Sequence, residues 1–176
     1  MKFSALVAAA AAGAASAAVL PSELAVNTQE LETKPYQGLD EVQSKYAGRI
    51  IAQVKMENLG PKACQTAITT SLMESTLIMH ANERVPESLT YEHERLGYDG
   101  DSVGLFQQRA LFYTDIKCNM DAVCSAHQFL ARMKEIPEWE TIDVGTLAQK
   151  VQRSEQPERY HQFVDQSVSI CNLGGL

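Results

Sequence analysis

Apolar positions recur at helical spacing along most of the chain. Val42, Tyr46, Ile50 and Val54 fall four residues apart in a segment preceded by Asp40 and followed by Gly60. A carboxylate ahead of such a run accepts hydrogen bonds from the first backbone N–H groups of a helix, and glycine ends one. A helix is therefore predicted from Asp40 to Gly60. Pro61, whose missing N–H costs nothing at a first helical position, opens a second. That helix runs into TTSLMESTLIMH at 69–80, where Leu72, Met73, Leu77, Ile78 and Met79 are apolar and Glu74 is the one carboxylate. Asn119 or Asp121 caps a helix through AVCSAHQFLARMKE, which Ile136-Pro137 breaks. Asp143 caps VGTLAQKVQRS, and Pro157 starts PERYHQFVDQSVSIC, which ends before Gly174-Gly175. No internal repeat and no convincing strand run emerges. The pattern predicts an all-α domain of about five helices.

Two segments depart from this periodicity. Residues 81–103 carry Pro86, Gly97, Gly100 and many charges, and read as a long surface excursion of the kind that carries function or is disordered. The semi-apolar GLFQQRALFY that follows is ambiguous between a helical turn and a β-turn region. At the other end, MKFSALVAAAAAGAASAAVL has a lysine, an alanine-dominated apolar stretch and small residues at 16–18, the layout of a secretory signal peptide. Residues 1–18 are expected to be removed near Ala17 or Ala18. Residues 19–38 are polar and aperiodic, and read as a flexible arm or a propeptide. Residues 39–176 then form one domain.

Charge and cysteines narrow the class. The chain carries a net charge of −7, and losing Lys2 with the leader makes it one unit more acidic. Such a chain is a poor ligand for nucleic acid. No second apolar run spans a bilayer, so a soluble, secreted monomer without membrane contact is expected. The four cysteines, Cys64, Cys118, Cys124 and Cys171, read as two disulfides in an exported chain. Three connectivities are open. Cys118–Cys124, the closest pair, and Cys64–Cys171, which would tie the C-terminal helix to the central one, are favoured. Paired cysteines leave little place for Cys124 and His127 as metal ligands, or for Cys124 with His127, His93 or His161 as a peptidase nucleophile and base. The Asp99-Gly100-Asp101 run lacks the further ligands of a calcium loop. No cofactor and no metal is expected. Trp139 reads as core packing, and His80 as a residue favouring the dipole at its helix end.

Glu74 is the residue with chemistry in it. Its aliphatic neighbours one turn on, Leu77 and Ile78, would disfavour its charged form and raise its pKa, as a general acid needs. A solvated glutamate paired with Arg84 or a loop group fits the helix pattern equally well. The segment YDGDSVGLFQQR adds Asp99, Asp101, Gln107, Gln108 and Arg109 around a glycine-rich turn, and amide side chains suit the hydroxyl and acetamido groups of sugars. Tyr98 and Tyr113 flank it and are candidates for stacking on sugar rings.

Together, MES at 73–75 and GLFQ at 104–107 resemble the lysozyme-like superfamily, especially soluble lytic transglycosylases and goose-type lysozymes. In that family a helix ends in Glu-Ser and a Gly-Leu-Met/Phe-Gln segment packs against it. The run GDSVGLFQQR with the later VQRS and Tyr160 is most similar to small secreted actinobacterial and fungal lysozyme-like proteins. The similarity covers about residues 61–165. Gln152 and Arg153 stand where the family carries an Ala-Tyr-Asn stretch. The resemblance implies a lysozyme-like helical fold and a glycosidase cleaving β-1,4 bonds of peptidoglycan, as a muramidase or lytic transglycosylase, with chitin a related amino-sugar polymer. It implies Glu74 as the catalytic acid, Ser75 as a residue that helps hold the site, and Gly104 and Gln107, with Gln108 and Gln152, as residues of the sugar groove. A second carboxylate, where the chemistry uses one, is expected at Asp101, with Asp99, Glu92 and Glu94 as competitors. A non-catalytic, sugar-binding protein of the same fold is the alternative.

Overall fold

The computed structural model describes residues 35–154 and 158–176. The leader and most of the proposed arm lie outside the described residues, as does the helix start expected at Pro157. The domain is already ordered before residue 39. Tyr36 packs partly buried against the core, and its N–H donates to Ser44 Oγ at 2.9 Å.

Helix α1 spans Glu41–Met56 and begins with the cap expected at Asp40. Asp40 Oδ1 accepts from Gln43 N at 2.8 Å, and Gln43 Oε1 accepts in return from Asp40 N at 3.0 Å, a reciprocal capping box. The helix stops at Met56, not at Gly60, because Asn58 turns into the left-handed region at φ 53°. Gly60 instead caps α2, Pro61–Ser75.

Helix α2 is the centre of the domain and packs against α1, α4, α5, α6 and α7. Its buried Thr66, Thr70 and Ser71 return their hydroxyls to carbonyls one turn back, at 2.8, 2.8 and 2.7 Å. Those bonds let a helix rich in hydroxyl residues sit in the core without orphaned polar groups. The later helices are α3 (Ile116–Asn119), α4 (Ala122–Lys134), α5 (Val144–Gln152), α6 (Glu158–His161) and α7 (Val164–Leu173). Asp121, rather than Asn119, caps α4 by accepting from Val123 N and Cys124 N at 3.0 and 2.8 Å, and Asp143 caps α5 by accepting from Thr146 N at 3.0 Å.

The domain is mostly helical, as expected, but it holds more than the five helices expected and also carries two short two-stranded sheets. Seven helices are described, two of them single turns: the C-terminal helix breaks at Gln162-Phe163 into α6 and α7, and α3 forms a separate turn ahead of α4. Residues 81–103 are not a loose excursion. Strand β1 (His80–Asn82) pairs in parallel with β2 (Arg95–Gly97), and β3 (Ser102–Val103) pairs antiparallel with β4 (Gln108–Arg109). A short 3₁₀ helix, Pro86–Thr90, lies between β1 and β2. Asn82 knits this layer from within. Its Nδ2 donates to Gly100 O and Ser102 O at 3.2 and 3.1 Å, and its Oδ1 accepts from Arg84 N at 2.9 Å. Strands this short carry no readable alternation, which is why periodicity misses them.

Both favoured disulfides are present, Cys64–Cys171 joining α2 to α7 and Cys118–Cys124 joining α3 to α4. Every cysteine is thereby used, and neither a thiolate metal ligand nor a thiol nucleophile is left. Disulfides suit an oxidising compartment. Among the described residues no helix is long and apolar enough to cross a membrane. Trp139 packs half-buried against the core.

Candidate active site

Helix α2 ends beside the GLFQ turn, and one hydroxyl joins the two. Ser75 Oγ lies 2.7 Å from Leu105 O and 3.0 Å from Ser71 O, with Ser75 buried. Behind the turn, Gly104 takes φ 78°, and a Cβ there would fall 2.2 Å from Asn119 O. Glycine is needed twice over, for the left-handed backbone and for the close approach of α3. Gly104 N donates to His80 O at 2.8 Å, so the turn is also sewn to β1.

The chain leaves α2 through two consecutive left-handed residues, Thr76 at φ 55° and Leu77 at φ 56°. For residues with a Cβ this costs about 1–2 kcal/mol each. Several contacts offset it. Leu77 is fully buried. Thr76 N and Leu77 N donate to Leu72 O and Ser71 O, both at 3.1 Å. Thr76 O accepts from Gln43 Nε2 at 2.8 Å, across from α1. This turn corrects the expectation for His80. The helix is over five residues earlier, and His80 begins β1 with a buried Nε2 that has no hydrogen-bond partner among the described residues. Burial, then Arg95, push its pKa down, against a smaller upward pull from Glu94.

Glu74 projects from the last turn of α2 into a partly buried position. Burial pushes its carboxyl above the ordinary glutamate range; a hydrogen bond from Tyr160 and the charge of Arg159 pull the other way, and Asp99 adds to the rise. The Tyr160 hydroxyl donates to Glu74 Oε1. Tyr160 is itself buried on α6, and burial, then Glu74, raise its pKa, so the phenol stays protonated and remains a donor. Ser154, just past α5, hydrogen-bonds the same phenol. The acid therefore sits where α2, α6 and the GLFQ turn converge.

The candidate second carboxylates separate clearly. Asp101 is engaged by Arg109 Nε and by Leu111 N at 2.7 Å. Burial would raise its pKa, but these partners outweigh it and hold the carboxyl below its usual range. Glu94 accepts from Tyr46 OH at 2.8 Å and from Met79 N at 3.1 Å, and Glu92 pairs with Lys45 at 3.0 Å. Asp99 is exposed, its carboxylate has no hydrogen-bond partner among the described residues, and its charge reaches Glu74. Of these carboxylates, Asp99 is the one whose charge raises the Glu74 pKa, while Asp101 is engaged by Arg109 and Leu111 N.

The expected groove residues fall into two groups. Ser75, Gly104 and Gln108 are buried, so they shape the site without offering a surface to a sugar. Gln108 points inward, 3.4 Å from Ser125 O, because β4 alternates and turns it toward α4. Gln107 and Gln152 are half-buried and anchored by their amide nitrogens, to Gly104 O at 2.9 Å and Phe106 O at 2.8 Å. Tyr98 is 76% exposed beside Asp99. Among the described residues no three His, Cys, Asp or Glu side chains gather in a metal-binding group. Tyr160 enters the sequence reading only as part of the motif resemblance, not as a partner of Glu74, and Gln43 does not enter it. Tyr160 lies 86 residues from its partner, and the capping contact of Gln43 is local to the start of α1.

No protein-family model matches the chain, and no curated protein matches it significantly.

Proposed function

We propose that this protein is an exported lysozyme-like glycosidase that cleaves β-1,4 bonds of peptidoglycan, with Glu74 as general acid. The observation that carries the reading is the state of Glu74: a partly buried carboxyl with a raised pKa, held by a phenol donor at the end of a helix. The resemblance of the Glu-Ser and Gly-Leu-Phe-Gln segments supplies the polymer class, and the link between Ser75 and Leu105 fits their acting as one unit.

The geometry suggests a division of labour. Tyr160 occupies Oε1, so the acidic proton resides on Oε2. Glu74 gives that proton to the leaving glycosidic oxygen as an oxocarbenium-like transition state develops. The resulting carboxylate is steadied by the Tyr160 hydroxyl and the charge of Arg159, the two influences that favour its ionised form. Glu74 can then take a proton from the attacking oxygen. In hydrolysis this oxygen is water, with Asp99, whose charge acts on Glu74, as the candidate carboxylate to assist it. In transglycosylation it is a hydroxyl of the substrate, and no second carboxylate is required. Lysis of bacterial walls and cleavage of chitin oligomers, measured in parallel for wild type and Glu74→Gln, test the reading. Mass analysis of the products separates hydrolysis from anhydro-sugar formation.

A further inference from the structure

We propose that Gln43, on the first turn of α1, is a positioning residue for Glu74, acting through the left-handed turn that ends α2. The inference rests on the glycosidase reading for its activity assay, but not for its structural readout.

Gln43 makes two kinds of contact with one side chain. Its Oε1 accepts from Asp40 N at 3.0 Å, completing the capping box of α1. Its Nε2 reaches the other way and donates to Thr76 O at 2.8 Å, thirty-three residues along the chain. The first contact is a local helix start of the kind glutamate makes equally well. The second requires an amide, because a carboxylate has no proton to give to a carbonyl. Thr76 lies two residues beyond Glu74, and it and Leu77 both adopt backbone angles that residues with a Cβ resist. Thr76 is exposed, so its side chain adds little packing, and its hydroxyl bonds no further than Ser75 O at 2.6 Å. Gln43 is thus the long-range polar tie on the peptide that fixes where α2 stops. The stopping point decides whether Glu74 faces Tyr160 and whether Ser75 meets Leu105.

Two variants separate the roles. Gln43→Glu keeps the acceptor for Asp40 N and loses the donor to Thr76 O. Gln43→Met loses both without adding charge. The melting temperature of Gln43→Glu is expected to stay within a degree or two of wild type, while kcat on bacterial walls falls about tenfold with KM within twofold. A tenfold loss in kcat corresponds to ~1.4 kcal/mol of barrier. The activity-independent readout is the titration of Glu74 by carboxyl NMR in Gln43→Met. It should move down toward the ordinary glutamate range as the carboxyl gains water. Undiminished kcat in Gln43→Glu, or an unmoved Glu74 titration in Gln43→Met, would overturn the proposal. A wild-type protein inert on walls would defeat the glycosidase reading instead, and the Glu74 titration would still decide the role of Gln43.

Discussion

The hydroxyl of Ser75, at the end of α2, lies 2.7 Å from the main-chain oxygen of Leu105, thirty residues away. This contact joins the helix that carries Glu74 to the Gly-Leu-Phe-Gln turn, and Gly104 presses the far side of that turn onto Asn119. Helix end, turn and α3 therefore form a stack in which displacement of one layer displaces the acid.

Gly104→Ala is expected to disrupt that stack. A Cβ 2.2 Å from Asn119 O forces the backbone apart at a position whose φ of 78° already disfavours alanine. We expect a loss of about 2–4 kcal/mol, from overpacking and left-handed strain together. Urea denaturation measures it.

Glu74 should cost the protein stability at neutral pH. Its pKa is raised in the folded state, so over the window above the ordinary glutamate pKa the folded chain holds a proton that the unfolded chain has released. Stability therefore falls as pH rises through that window. Glu74→Gln, which still accepts from Tyr160, should melt higher than wild type at pH 7, and the difference should vanish below about pH 4. Paired thermal melts across pH provide the check.

Asp99 and Asp101 should behave differently when neutralised. Asp99 raises the Glu74 pKa, so Asp99→Asn should move the alkaline limb of the pH–rate profile to lower pH without changing stability appreciably. Asp101 is held below its usual pKa by Arg109 and Leu111 N, against the upward push of burial. Its contribution is present above the ordinary aspartate pKa and is lost as pH falls through the depressed value. Asp101→Asn should cost about 1 kcal/mol near neutrality, as expected for an exposed charge-assisted contact, and leave the limb in place. pH–rate profiles and urea titrations of the two variants distinguish them.

The two disulfides should differ in worth. Cys64–Cys171 closes 107 residues and Cys118–Cys124 closes 6. On the chain-entropy account their removal as serine pairs costs about 5 and about 2 kcal/mol. Denaturant midpoints of the two double variants give the comparison.

The long helices were legible in the sequence because their signals are local. Asp40 and Asp143 act on residues three positions ahead, and Pro61 declares a helix start by its own ring. The four strands were not legible. They are two or three residues long, too short for a readable alternation, and the side-chain bonds of Asn82 that tie β1 to residues 100 and 102 span positions distant in sequence. The same division runs through the site. Glu74 stood out as the one carboxylate in an apolar run, and Ser75 entered only through the motif resemblance. Asp101 attracted attention by standing beside the GLFQ turn, but its proximity to Arg109 and to the Leu111 amide spends its charge on holding the hairpin. Tyr160 and Gln43 meet the α2 terminus only through tertiary packing, and no spacing rule connects them to it.

The central claim is that Glu74 delivers a proton to a glycosidic bond. The most direct test is the initial rate of bacterial wall lysis by wild type and by Glu74→Gln near neutral pH, with folding checked by circular dichroism. We expect lysis by wild type and a loss of at least a hundredfold in the variant, the lower range for removing a general acid. Equal rates for the two proteins would contradict the account.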